Sequence, residues 1–204
     1  MQTTKSDPDK KQSLRLGRAP WLLALAVLVV VGVFVLLGWL LLNQGGEAGT
    51  RLIEAEGVQF NVPQDWSEED LTQNESCQNE SLTCVAIMSA PEGYNFSLTW
   101  YTLLGTSTVE LIDENEWRKF REYYPEAILF SKEEIEVGGL PAIQRTFLQN
   151  DQQTTPIYFR QVYIMNGSRL YLITARFFSA EMMEAQAGVV DAVIESIIFT
   201  PIAE

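Results

Sequence analysis

The stretch from residue 157 to residue 178, IYFRQVYIMNGSRLYLITARFF, decides the fold class. It contains two strand-like runs, Ile157–Met165 and Leu170–Phe178. The dipeptide Asn166-Gly167 between them is a strong signal for a tight hairpin turn. Because strands joined by so short a turn run antiparallel, the stretch predicts an antiparallel sheet.

Further strand-like runs precede this stretch along the chain. In each of them the apolar residues are either continuous or alternate with polar residues, which is typical of strands. Gly138-Gly139 marks a second tight turn. The runs are Gly57–Pro63, Cys84–Ser89, Phe96–Tyr101, Ile128–Val137 and Ala142–Leu148.

Two amphipathic helices accompany the strands. The first is expected to begin at Asp113, with Glu116 three residues later completing a capping box, and to end before Pro125. The second is expected to start after Ser179 and to carry an apolar stripe. An antiparallel sheet with such helices packed against it is an α+β layered domain.

The segment before this domain predicts a membrane anchor. Trp21–Leu42 contains no charged residue in 22 positions, and a helix of that length covers about 33 Å, enough to cross a bilayer. A buried core helix is rarely apolar on every side for so long. A cleavable signal peptide has a shorter apolar run and a small-residue cleavage site. We therefore expect an uncleaved signal anchor that contacts the lipid bilayer through residues 21–42.

The charges on either side of the apolar run predict its orientation. Residues 1–18 carry five basic and two acidic residues, whereas the chain from Asn43 onward carries 9 basic and 25 acidic residues. Because the positive flank stays inside, we predict a protein that crosses the cell membrane once, with its N-terminus in the cytoplasm. Its parts are a basic cytoplasmic tail (1–20), a transmembrane helix (21–42), a Gly-rich linker (43–50) and an extracytoplasmic domain (51–204).

Composition argues against several classes of function. The chain of 204 residues has no histidine, which removes Ser-His-Asp and Cys-His catalysis and His-ligated zinc. Its net charge of −13 argues against binding to nucleic acid. A Ser–Lys dyad would have to use Lys119 or Lys132, the only lysines after the apolar run.

Carboxylates are the plentiful reactive groups, and they are densest in Ser67–Asp70 and Asp113–Glu116. Neither cluster contains the glycine that a calcium-binding loop needs for its turn. Both are interpreted as charges at helix starts, where the helix dipole favours them. We therefore expect no catalytic residue, no metal ligand and no cofactor.

Cys77 and Cys84 are the only cysteines, and both lie on the predicted exported side. An oxidising compartment favours a disulfide bond between them, since a redox motif would have two intervening residues. Four Asn-x-Ser sequons are glycosylation sites if the protein passes through a eukaryotic secretory route. They are Asn74, Asn79, Asn95 and Asn166.

Three segments of the predicted domain resemble PsbP-like domains. They are GVQFNVPQDW (57–66), VGGLPAIQRTF (137–147) and YLITARFFSAEMMEAQAGVVDAVIESIIF (171–199). They are similar to the family's opening strand, its central hairpin, and its closing strand with the C-terminal helix, and they occur in that order. The resemblance implies a three-layer α/β/α sandwich around an antiparallel sheet. Members include an extrinsic photosystem II subunit and a Ran release factor, and most act as accessory or docking proteins.

These observations leave three functional hypotheses in order of preference. The first is a non-catalytic interaction or assembly module that docks a protein partner at the outer membrane face. Its acidic surface favours a basic or cation-bearing partner. The alternative is a small-ligand receptor with a pocket between sheet and helix. The third is a carboxylate-based hydrolase, which would need two carboxyl groups with strongly displaced pKa values.

Overall fold

The structure, a computed structural model, describes residues 49–78, 81–105, 107–150 and 155–200. The predicted cytoplasmic tail, the predicted transmembrane helix and the predicted linker up to residue 48 lie outside these residues. Within the part of the chain that is described, neither helix is long and apolar enough to cross a membrane.

The described residues form ten strands, two α-helices and one short 3₁₀ turn (Glu75–Gln78). The first helix ends before Pro125 and the second follows Ser179, as predicted. The strands are β1 (Thr50–Ala55), β2 (Val58–Pro63), β3 (Ser67–Glu68), β4 (Thr83–Ser89), β5 (Asn95–Thr102), β6 (Ile128–Val137), β7 (Leu140–Gln149), β8 (Ile157–Asn166), β9 (Arg169–Phe177) and β10 (Ile198–Phe199), and the helices are α1 (Val109–Tyr123) and α2 (Ala180–Glu195).

The main sheet has seven strands in the order β3-β4-β5-β9-β8-β7-β6, and each neighbouring pair is antiparallel. The predicted antiparallel sheet with two helices is therefore confirmed. In the β8–β9 hairpin Asn166 pairs with Arg169, so the turn consists of Gly167 and Ser168, one residue later than predicted. Gly167 takes a positive φ of 59°, a conformation that glycine adopts without strain.

The β6–β7 hairpin turns at Gly138 and Gly139, as predicted, because Val137 pairs with Leu140. Gly138 has a φ of 58°, and a Cβ atom there would lie 2.8 Å from the ring of Phe199. Both the backbone conformation and the close approach therefore require glycine at this position.

A second sheet of three strands, in the order β1-β2-β10, was not predicted. Its first strand begins at Thr50, the last residue of the predicted linker. Only Ile53 of this strand is buried, so the sequence shows little of the alternation that identifies a strand. β10 is two residues long and pairs with the start of β2, which is too short for a sequence pattern.

The two helices pack against opposite faces of the main sheet. Successive strand residues point to opposite faces, and neighbouring residues of β7 belong to apolar clusters that contain different helices. Ile143 lies in a cluster with Val109 and Ile112 of α1, whereas Ala142 belongs to the larger core that contains Val190 of α2. The helix on each face brings its own polar side chains to the sheet, and the resulting contacts form the clefts described below.

The start of α1 differs from the prediction. The helix begins at Val109, where the side chain of Thr108 accepts a hydrogen bond from the Leu111 amide. Asp113 therefore lies inside the helix and is completely buried. The earlier start places Val109 and Ile112 on the sheet, and this apolar burial outweighs the capping-box pattern at Asp113.

Candidate functional site

The expected disulfide bond joins Cys77 to Cys84, with 5.5 Å between the two Cα atoms. Cys77 lies in the 3₁₀ turn and Cys84 in β4. The bond therefore fastens a surface segment to the strand next to one edge of the main sheet.

Three of the four sequon asparagines are described. Asn74 lies in a turn and its amide donates to the Glu69 carboxylate at 3.2 Å. Asn95 begins β5, and Asn166 ends β8 beside the hairpin turn. Asn79 lies outside the described residues. Glycosylation at these positions stays a prediction.

The acidic cluster Ser67–Asp70 does not start a helix, so that interpretation was wrong. Its first two residues form β3. The carboxylate of Asp70 accepts hydrogen bonds from the Thr72 hydroxyl at 2.7 Å and the Thr72 amide at 3.0 Å. These bonds hold the pKa of Asp70 below its ordinary value. The residue therefore stabilises a turn, as aspartate commonly does.

The second acidic cluster was also misread, because Asp113 belongs to a buried ion cluster. Its carboxylate accepts from the guanidinium of Arg145 and from the Lys132 ammonium, which lies 3.0 Å away. Arg145 is only 3% exposed, and its guanidinium lies 4.7 Å from the ring centre of Trp117. The sequence signal for this cluster is the position of Arg145. It shares a strand face with Ile143 and Phe147, which are both buried, so its charge needs a buried partner.

The two lysines considered for a Ser–Lys dyad are held in ion pairs, and among the described carboxyl groups none with a resolved pKa shift has a raised pKa. The ammonium of Lys119 lies 2.9 Å from the Glu116 carboxylate, and that of Lys132 contacts Asp113. The exposed carboxyl groups of Glu110 and Glu181 have lowered pKa values. The main cause is a hydrogen bond from the Thr108 hydroxyl for Glu110 and a hydrogen bond from its own backbone amide for Glu181. A general acid needs the opposite shift.

Among the residues that the structure describes, carboxylate and cysteine side chains do not gather into a potential metal site either. Across the described ranges, no group of three or more such side chains lies close enough to hold a metal ion.

A cleft of about 300 Å³ lies beside each helix. The α1 cleft is lined by Trp117, Phe120 and Tyr163 around Arg145. In the α2 cleft, Arg160 donates to the Asp191 carboxylate and, at 3.0 Å, to the Gln144 side chain. Both volumes are at the lower end for ligand pockets. The alternative small-ligand receptor would bind here, but both arginines are already held in ion pairs, and we place no ligand in either cleft.

The most exposed apolar surface of the sheet lies where β6 begins. Ile128, Leu129, Phe130 and Phe178 are each between 40% and 50% exposed. The Phe130 ring stacks on Tyr158 of β8, with 6.2 Å between ring centres and 16° between the planes. We call these five residues the apolar end. The pairing places all five at the same end of the main sheet, and exposed apolar residues gathered in one region are typical of an interaction site.

The apolar end continues into an open sheet edge. Among the described residues, β6 pairs with β7 on one side and with no strand on the other. Its pairing shifts between Leu129 and Ser131, so Phe130 forms a bulge. From Ser131 to Val137 the pairing is regular. This seven-residue segment carries exposed acidic residues at Glu133, Glu134 and Glu136, and we call it the acidic edge.

The sequence matches no protein-family model and no curated protein. Solved structures resemble it in fold. CyanoP, the PsbP of Synechocystis sp. PCC 6803, has a TM-score of 0.56 at 12% identity, over 76% of this chain and 95% of that one. The Ran-binding protein Mog1p of Saccharomyces cerevisiae has 0.54 at 5% identity, over 75% and 96%. LpqN of Mycobacterium tuberculosis, involved in cell envelope biogenesis, has 0.50 at 12% identity, over 78% and 88%.

The predicted resemblance is thus confirmed at the level of the fold. Because the identities are only 5–12%, the likeness shows the fold and assigns no functional residue to this chain. The described domain of this chain has the fold of PsbP and Mog1.

Proposed function

We propose that the protein is a membrane-tethered, extracytoplasmic and non-catalytic interaction module that docks a protein partner through the apolar end. Its helices and sheet form a three-layer α/β/α sandwich that holds this surface rigid. The observation that carries the proposal is the exposed aromatic and aliphatic cluster around Phe130. Exposed apolar side chains gathered in one region of a protein surface are typical of sites that bind a partner.

The residue chemistry supports a role in binding rather than in catalysis. The chain has no histidine, and its two lysines beyond the apolar run are ion-paired. The similar fold of Mog1p, which is described as Ran-binding, supports a protein partner for this chain too. A fold by itself does not carry function, so the proposal depends on the exposed surface.

The sequence supports tethering through residues 21–42, which are uncharged throughout. A tether raises the local concentration of the domain beside a membrane complex. With 25 acidic and 9 basic residues after position 42, the exported part repels anionic lipid headgroups and attracts basic partners. Protease added to intact cells should cleave the large C-terminal portion, and an alkaline wash should leave the protein in its vesicles.

The direct test is capture of the partner by full-length protein in the membranes of its own cells, after cross-linking and detergent extraction. Phe130→Asp should reduce the captured partner at least tenfold, because a charge enters the apolar contact. Leu52→Asp is the matched control, since Leu52 is 59% exposed but lies on β1. Capture without the cross-linker should weaken as salt is raised. Equal capture by both variants would contradict the proposal.

A further inference from the structure

We infer that the partner binds by strand addition: an extended segment with alternating basic residues pairs with the acidic edge, and its adjoining apolar residues cover the apolar end. The inference rests on the proposed function, because it specifies how that surface is used. The ligand is thus a β-strand-forming segment with lysine or arginine at every second position.

The backbone of the acidic edge pairs with no described strand on the side away from β7. A strand at the margin of an antiparallel sheet has alternate N–H and C=O groups directed away from its only neighbour. On β6 these groups belong to residues between Ser131 and Val137, where the pairing with β7 is regular. An extended segment can therefore hydrogen-bond along this length, which is the way β-augmentation supplies affinity.

The acidic edge also carries three exposed negative charges. Glu134 and Glu136 are two residues apart on one face, and Glu133 lies on the other. Lys132 does not neutralise them, because its ammonium contacts the buried Asp113 and lies 3.8 Å from Glu114. Basic residues at alternate positions of an added strand would lie directly beside Glu134 and Glu136, where opposite charges stabilise pairing.

The acidic edge and the apolar end adjoin each other along β6. The bulge at Phe130 ends the regular pairing, and bulges are a common device for stopping further strand addition. Immediately beyond it the exposed surface becomes apolar, with Ile128, Leu129 and Phe130 each at least 40% exposed. A segment that pairs along the acidic edge therefore places its next residues on the apolar end.

Other occupants fit this surface less well. Pairing of β6 with a second copy would bring two sets of three glutamates together, in chains that each carry a net charge of −13, and like charges oppose such pairing. An anionic lipid surface is repelled by the same carboxylates. The acidic edge thus selects a basic peptide over a second copy or a membrane.

The test uses the full-length chain in a neutral detergent micelle and synthetic ten-residue peptides with a fluorescent label. The first peptide has alternating lysine and valine followed by three apolar residues, because a strand antiparallel to β6 meets the acidic edge first and the apolar end last. The second has glutamate in place of each lysine, and the third repeats the first with N-methylated backbone amides. Only the first should bind, with fluorescence anisotropy falling as salt is raised, and it should slow hydrogen exchange of the β6 amides.

Two triple variants separate the acidic edge from bulk charge. Glu133→Gln, Glu134→Gln and Glu136→Gln together should weaken binding of the lysine peptide at least tenfold. Glu54→Gln, Glu184→Gln and Glu195→Gln remove the same three charges from other exposed positions and should change affinity less than twofold. Equal weakening by the two triple variants would overturn the inference, because it would mean diffuse attraction.

The remaining outcomes also decide the question. Binding of the N-methylated peptide as tightly as the first would exclude backbone pairing. Slowed β6 exchange that depends on protein concentration without peptide would indicate a second copy, and binding of neutral or anionic vesicles through Phe130 would indicate a membrane. Either result overturns the inference. If no peptide binds while capture from membranes still depends on Phe130, strand addition is wrong and the proposed docking function stands.

Discussion

The two edges of the main sheet are held in different ways. At one edge, β3 has only two residues, and the disulfide bond between Cys77 and Cys84 ties the preceding turn to β4. At the other edge, β6 has ten residues and is fastened from the inside, through the ion pair of Lys132 with Asp113. We call the first the closed edge because a covalent bond fastens it, and the second the open edge because β6 is long and pairs with no described strand on its outer side.

The difference shows how a sheet can be stabilised without covering its edge. The disulfide acts on the surface and constrains the unfolded chain. The ion cluster lies beneath α1, so it anchors β6 and β7 to the helix and leaves the outer backbone of β6 free for a partner. The following predictions test this contrast in order of decreasing effect on stability.

The largest effect is expected at the buried ion cluster of the open edge. Asp113→Ala leaves the buried guanidinium of Arg145 without its carboxylate and should lower the free energy of unfolding by about 3–5 kcal/mol. Asp191→Ala breaks the corresponding pair on the other face, where Asp191 is half-exposed, and should cost about 1 kcal/mol or less. Urea denaturation measures both, and equal losses would contradict the distinction between them.

The closed edge should be the next most sensitive. Replacing both cysteines, Cys77→Ser with Cys84→Ser, should lower the free energy of unfolding by roughly 2–3 kcal/mol, because the small loop gains freedom in the unfolded chain. Hydrogen exchange at β6 in the folded state should not change. Faster exchange at β6 in the folded double variant than at β6 in the unmodified protein would show that the two edges are not independent.

The β6–β7 hairpin at the open edge should be destabilised by the addition of a single methyl group. Gly138→Ala should destabilise the protein by more than about 1 kcal/mol, since it adds a left-handed backbone strain and a clash with Phe199. Gly139→Ala is the control, because Gly139 also has a positive φ but has no atom near its Cβ position. Thermal denaturation should therefore rank Gly138→Ala as the more damaging change.

The smallest effect at neutral pH concerns Tyr101 on β5, between the two edges, which affects stability only in alkaline solution. Burial, followed by the charge of Glu116, raises the pKa of Tyr101 from 10.0 to about 12. The neutral form is therefore favoured in the folded state, so its contribution to stability is complete below pH 10 and is lost as the pH rises toward 12. Tyr101→Phe should make the loss of stability between pH 9 and pH 11.5 smaller in urea titrations.

Tyr123→Phe is the control for the pH effect, because Tyr123 is 80% exposed. It should leave the pH dependence of unfolding unchanged. A flat stability between pH 9 and pH 11.5 in the unmodified protein would contradict the predicted role of Tyr101.

The fold could be predicted from the sequence because its strands carry strong local signals. The bounds of β6 match the predicted Ile128–Val137, and the β6–β7 turn follows from its two glycines. β1 was missed because only Ile53 in it is buried. Asp113 was misassigned because a capping box is a local pattern, whereas its pairing with Arg145 joins residues 32 positions apart. The open edge is likewise visible only once the strand order is known.

Site-specific photo-cross-linking tests the central claim most directly. A photoreactive side chain at position 133 on the open edge, or at position 67 on the closed edge, would be activated in the cells' own membranes. We expect one protein adduct from position 133, lost in the Phe130→Asp background, and none from position 67. An equal adduct from both edges, or an adduct from position 67 alone, would contradict docking at β6.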